Sequence, residues 1–117
     1  MPTALIIDDS TFMRNWVRHI LENQSFTVVA EANNGILGVV QYKTYSPDIV
    51  LMDVVMPKMN GVRALEMIIN FDPQAKVIIS SSLGDSYLVD QCATIGAYDF
   101  IQKPFFDRLP SILDNII

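Results

Sequence analysis

Five short apolar runs alternate along this chain with longer segments whose apolar residues recur at helical spacing. The runs are 4–7, 26–30, 49–52, 77–79 and 98–102, and each stops at polar residues. Runs this short, rich in Val and Ile and bounded by polar positions, predict strands buried on both faces of a parallel sheet. Between them, residues 11–23 place Met13, Val17, Ile20 and Leu21 on one helical face and Arg14, Arg18 and Glu22 on the other. Ser10 is placed to cap that helix, and Arg18 with Glu22 forms an (i, i+4) pair. Asn33-Asn34-Gly35, Asn60-Gly61 and the 82–85 stretch introduce three further helices. A fifth follows from about residue 106, but its Pro110 is tolerated only in a first turn, so this helix starts late or kinks.

The predicted order is therefore (βα)₅, an α/β fold with a doubly wound parallel sheet and helices on both faces. Right-handed crossovers send the carboxyl end of every strand to one edge, where such sheets bind their ligands. Neither an internal repeat nor a linker interrupts the pattern, and 117 residues suit a single domain, 1–117.

Charge changes the picture by exclusion. Formal net charge is −5, and the eight Lys and Arg residues form no run, which argues against nucleic-acid binding. The single Cys92 has no partner for an internal disulfide and reads as a small buried hydrophobe. With no signal-type segment and no apolar stretch long enough for a membrane span, a soluble cytoplasmic protein is expected.

The residues that finish the strands carry the chemistry. Asp8-Asp9 follow the first run, Asp53 the third, Ser80-Ser81-Ser82 the fourth and Lys103 the fifth. Three converging carboxylates raise one another's cost of ionisation, so the cluster calls for a cation. An oxygen-only set with no His/Cys cluster fits Mg²⁺ better than a softer metal. Lys103 adds a mobile point charge for an incoming phosphoryl group, and Ser81 a hydroxyl for one of its oxygens. Any one of these residues alone is an ordinary turn former or cap, and Asp48 after Pro47 is read that way. His19 belongs to the first helix and is not a phosphoryl donor, while Met52, Met56, Met59 and Met67 read as core and loop filler.

Ile7-Asp8-Asp9-Ser10, the stretch from Asp53 to Gly61, and Lys103-Pro104-Phe105 resemble, in this order and spacing, the receiver domain of bacterial two-component response regulators. The stretches from Asp8 to Arg14 and from Ser81 to Gly84 are most similar to the stand-alone chemotaxis type. The resemblance implies a flavodoxin-like sheet ordered 2-1-3-4-5 and a switch that takes a phosphoryl group on Asp53 from a histidine kinase or phosphotransfer protein. It implies Mg²⁺ held by Asp8, Asp9, Asp53 and the backbone carbonyl of Val55. It also implies a bridging Lys103 with a cis bond to Pro104, a switch hydroxyl on Ser81 and a switch aromatic at Phe100. The surface of the fourth helix, fifth strand and fifth helix would then control a partner.

Two positions depart from the chemotaxis pattern. Val55 and Leu83, each two residues beyond Asp53 and Ser81, are apolar where the family often carries groups that orient the hydrolytic water. Slow self-dephosphorylation is the expectation. Leu83, Tyr87, Phe105 and Phe106 each read singly as core, but together their apolar weight suggests a partner or homodimer surface. A haloacid-dehalogenase-type phosphatase would place its nucleophile on the first strand in a D-x-D pattern and needs a cap domain. A flavin-binding module needs a Ser/Thr-rich phosphate loop where this chain has two carboxylates. No P-loop motif is present. A signalling switch, not an enzyme, remains.

Overall fold

In the computed structural model, which describes all residues from Met1 to Ile117, ten elements follow one another in strict alternation. They are β1 (Thr3–Ile7), α1 (Thr11–Asn23), β2 (Thr27–Ala32), α2 (Gly35–Tyr45), β3 (Ile49–Asp53), α3 (Gly61–Phe71), β4 (Val77–Ser81), α4 (Ser86–Ile95), β5 (Asp99–Gln102) and α5 (Leu109–Ile116). All four strand pairings are parallel, and the sheet runs β2-β1-β3-β4-β5.

The two-residue period of the strands splits the core into two layers. Ala4, Ile6, Ile49, Leu51, Ile78 and Ile101 face α1 and α5, meeting Val17, Leu21, Leu109, Ile112 and Leu113. Leu5, Ile7, Val50, Met52, Val77 and Ile79 face α2, α3 and α4, meeting Val39, Tyr42, Leu65, Ile68 and Cys92. The continuous apolar runs of β1, β3 and β4 exist because both faces of these strands are covered. β2 differs from that expectation. It lies at the sheet edge, Thr27 is exposed, and only Ala32 is fully buried.

Local signals set the helix starts. Ser10, Asn34, Asn60 and Asp85 each accept a hydrogen bond from the backbone N–H three residues on, contacts typically contributing about 1 kcal/mol each. α5 starts late, at Leu109, which puts Pro110 in its first turn. Cys92 is buried, and all four methionines named above pack in the α2–α3–α4 layer. Phe106 is also buried, in the other layer with its ring 5.4 Å from that of Trp16, so it drops out of the apolar surface read from the sequence. No helix is long and apolar enough to cross a membrane.

Candidate functional site

The parallel register brings the carboxyl ends of β1, β3, β4 and β5 to one edge. Ile7 stands opposite Met52, Asp53 opposite Ser80, and Ser81 opposite Gln102. The next residues on those strands and loops are Asp8, Asp9, Asp53, Ser81 and Lys103. Carboxylate oxygens of Asp8, Asp9 and Asp53 all lie within 4.8 Å of one another. Asp8 and Asp53 are buried, whereas Asp9 is exposed.

Lys103 joins two of the three acids. Its Nζ lies 2.5 Å from Asp8 Oδ2 and 3.3 Å from Asp53 Oδ2. Asp8 is further held by its Oδ1, which accepts the Ser10 N–H at 2.9 Å. Asp53 Oδ1 accepts the N–H of Val55 at 3.2 Å. Burial pushes the Asp53 carboxyl above its ordinary range. The Lys103 charge opposes that rise, and the neighbouring Asp8 adds to it. When all three acids are ionised, one ammonium leaves two negative charges uncompensated. A divalent cation with oxygen preference fits that donor set, and Asp9 opens it to solvent and to water ligands.

The loop after β3 depends on close backbone approach. Gly61 opens α3 and donates its N–H to the carbonyl of Val54 at 2.7 Å. A Cβ at this position would stand 2.3 Å from the carbonyl oxygen of Asp53 and 2.5 Å from Val54 Cα. Only glycine lets the helix start directly against the phosphoacceptor candidate. Lys58, in the same loop, sits at φ 69.

Ser81 is completely buried at the end of β4, where its Oγ accepts the Leu83 N–H at 3.0 Å. Its carbonyl accepts the Lys103 N–H at 2.7 Å, which ties the two residues through the backbone. The Lys103–Pro104 bond is cis. Phe100 lies one strand over, half-buried. It borders an apolar cavity of about 190 Å³ formed with Val89, Cys92, Ala93 and Ala97. Val55 and Leu83 are both about half exposed, at 53% each. The largest groove, about 420 Å³, lies against Val55, Asn60 and Arg63; it contains none of the three acids and not Lys103.

One feature of the site had no sequence signal. Periodicity assigns Arg14 to the polar face of α1 beside Arg18, and the Arg18–Glu22 pair does form at 3.6 Å. Both arginines instead turn to Glu31 of β2: Arg14 Nε lies 2.9 Å from Oε1, and Arg18 pairs with Oε2. Arg14 Nη1 also donates to the carbonyl of Asp8 at 2.6 Å. Glu31 reaches this place only because β2 pairs with β1, setting it opposite Ile6. His19 is exposed on α1, and Asp48 accepts the Thr3 N–H at 2.7 Å as a β1–β3 fastener.

The fold is a five-stranded parallel domain with three carboxylates and a lysine gathered at its carboxyl edge. Residues 4–114 match the family of the response regulator receiver domain, and the chain belongs to it. The chain is 48% identical over 101 residues to the chemotaxis protein CheY of Bacillus subtilis, covering 86% of this chain and 84% of that protein. It is 46% identical over 116 residues to CheY of Listeria monocytogenes, covering 98% of each. Among solved structures, it matches a chain of the CheX–CheY–BeF3–Mg complex from Borrelia burgdorferi at 38% identity and TM-score 0.88. That match covers 94% of this chain and 83% of the other. The chain is thus a CheY-like receiver domain of two-component signalling, and its relatives of that type are signalling switches and not conventional enzymes.

Proposed function

We propose that residues 1–117 act as one cytoplasmic phosphoacceptor switch in which Asp53 takes a phosphoryl group from a phosphohistidine on a partner kinase or phosphotransfer protein. The observation that carries this reading is Lys103 Nζ set between the buried carboxylates of Asp8 and Asp53, with Asp9 within 4.8 Å.

In the transfer an Asp53 oxygen attacks phosphorus in line, the P–N bond of the donor breaks, and the donor imidazole leaves with the electron pair. Asp8, Asp9, Asp53 and the carbonyl of Val55 would hold Mg²⁺, which would supply charge compensation for the transfer. Lys103 holds Asp8 and Asp53 together beforehand and turns its ammonium to the phosphoryl group as charge arrives. Ser81 exchanges the Leu83 N–H for a bond from its own hydroxyl to a phosphoryl oxygen. The receiver contributes orientation and electrostatics, and the reactive bond is the donor's.

The product adds up to roughly two negative charges at one strand end. Movement of Ser81 toward them frees room for Phe100, which also lines an apolar cavity beside α4, to turn inward. That shift alters the surface of α4, β5 and α5, which contacts a downstream partner or a second copy of the chain. Tyr87, Tyr98 and Phe105 are exposed near that surface, and the Arg108–Asp99 pair crosses it. Val55 and Leu83 cannot orient a hydrolytic water, so the phosphoryl group decays slowly.

Incubation with Mg²⁺ and a small acyl-phosphate donor, followed by intact-mass measurement, tests this reading. A gain of about 80 Da that disappears with EDTA or in Asp53→Asn supports it. Steady turnover of added phosphoesters without an adduct would instead favour a phosphatase.

A further inference from the structure

Among the three acids, Asp9 alone has no side-chain hydrogen bond or ion pair. Asp8 is held by Ser10 and Lys103, and Asp53 by Val55 and Lys103. The direction of the exposed Asp9 carboxylate therefore depends on the backbone that carries it. A peptide unit is planar, so fixing the carbonyl of Asp8 fixes the plane that carries the nitrogen and Cα of Asp9. Arg14 Nη1 fixes that carbonyl at 2.6 Å.

Arg14 is itself held from two other directions. Its Nε meets Glu31 Oε1 at 2.9 Å and its Nη2 meets Thr11 Oγ1 at 3.3 Å. The side chain is only 17% exposed, so the planar fork has little freedom to swing away. A plain fastener between α1 and β2 would not need the bond to Asp8, because Arg18 already grips the other oxygen of Glu31.

We infer that Arg14 is a positioning residue for the acid site: held by Glu31, it locks the Asp8–Asp9 peptide so that the Asp9 carboxylate faces the metal. This rests on the reading of Asp8, Asp9 and Asp53 as a Mg²⁺ site. Positioning and simple electrostatics act on Mg²⁺ affinity with opposite sign. Removing a positive charge near a cation site should tighten Mg²⁺ binding through Coulomb's law, whereas loss of a positioning group should weaken it.

The test is calorimetric titration of Mg²⁺ alone into the wild type, Arg14→Gln, Arg14→Lys and Arg18→Gln, each first melted to establish its folded fraction. Both Arg14 variants should weaken Mg²⁺ binding by about tenfold. Arg14→Lys keeps the charge but loses the fork, and it serves if the glutamine variant unfolds. Arg18→Gln loosens the same Glu31 contact and should lower the melting temperature while leaving Mg²⁺ affinity within about twofold of the wild type. In acyl-phosphate kinetics the Arg14 variants should need more Mg²⁺ for half-maximal labelling and return close to the wild-type rate when Mg²⁺ saturates. Unchanged or tighter Mg²⁺ binding by folded Arg14 variants overturns the inference, as does equal weakening in Arg18→Gln. A wild type that binds no Mg²⁺ overturns the reading of the metal site instead.

Discussion

The two halves of the sheet edge are built differently. At β1 and β3, Asp8 and Asp53 are buried and each is held by a backbone N–H and by Lys103, with Arg14 clamping the loop between them and α1. The helix behind β3 is anchored by four buried residues, Gly61, Ala64, Leu65 and Ile68. β4 is buried throughout, but β5 and the helix beside it are less so. α4 buries only Cys92, an apolar cavity lies beneath it, and Phe100 is half-buried beside that cavity. Under the proposed function, rigid geometry suits the half that would hold a reacting carboxylate in line, and slack suits the half that would change shape at small energetic cost. The proposed chemistry and readout would then occupy adjacent strands of one sheet but regions of different packing.

The strongest test of the rigid half is removal of its acceptor. Asp53→Asn should abolish the phosphoryl adduct in intact-mass spectra. The same change has a second, opposite consequence in metal-free protein. Because the folded-state value of Asp53 is raised, its stability contribution is complete below its unfolded value and is lost as pH rises through the folded one. At neutral pH the ionised acid is therefore a cost, and Asp53→Asn should melt higher than wild type. An equal or lower melting temperature would show that Lys103 already compensates the buried charge.

A packing contrast should come next in size. Leu65→Ala, in the layer behind β3, should cost about 2–5 kcal/mol in denaturant unfolding. Leu88→Ala on α4, where the side chain is only half-buried, should cost about 1 kcal/mol. Hydrogen exchange should likewise be faster in α4 than in α3. Similar costs and similar exchange in the two helices would erase the distinction drawn between the halves.

The lifetime of the phosphorylated form sharpens the comparison from the chemical side. Val55→Asn combined with Leu83→Glu should speed loss of the adduct by about tenfold, a barrier change of about 1.4 kcal/mol. Unaltered decay would mean that these side chains do not shield the phosphoryl group.

The smallest effect belongs to the clamp between α1 and β2. Burial alone would raise Glu31, but its hydrogen bonds and charge pairs with Arg18 and Arg14 outweigh that and hold it below its ordinary 4.5. A depressed carboxylate contributes stability above its unfolded value and loses it as pH falls through the folded one. The melting-temperature gap between wild type and Glu31→Gln should therefore be open at neutral pH and close as pH falls below about 4. A gap that persists in acid would assign the role of Glu31 to packing.

Much of this molecule is legible in its sequence. Strict alternation of apolar runs with helix-period segments specifies parallel strands and crossover helices, because each pattern is stable in only one kind of layer. The cap Ser10, the helix starts at Asn33-Asn34-Gly35 and Asn60-Gly61, and the late start forced by Pro110 are local chemistry, readable residue by residue. The gathering of Asp8, Asp9, Asp53 and Lys103 followed from the rule that parallel strands point their carboxyl ends one way.

What depended on non-local pairing was not legible in the residue pattern itself. β2 carries an apolar run like the others, yet it is one of two edge strands; only the family resemblance implied that order, since sheet order is set by crossovers and not by composition. Phe106 reads singly as core and only in company with Leu83, Tyr87 and Phe105 as surface; α1 settles the choice by bringing the ring of Trp16 to it. Arg14 is one of two ordinary arginines on a polar helix face until the β1–β2 register places Glu31 opposite Ile6. Local propensity and period determine which residues a chain offers to its strand ends. Only the packed sheet decides which distant partners hold them there, because hydrogen bonds between side chains far apart in sequence exist only once tertiary contacts have been made.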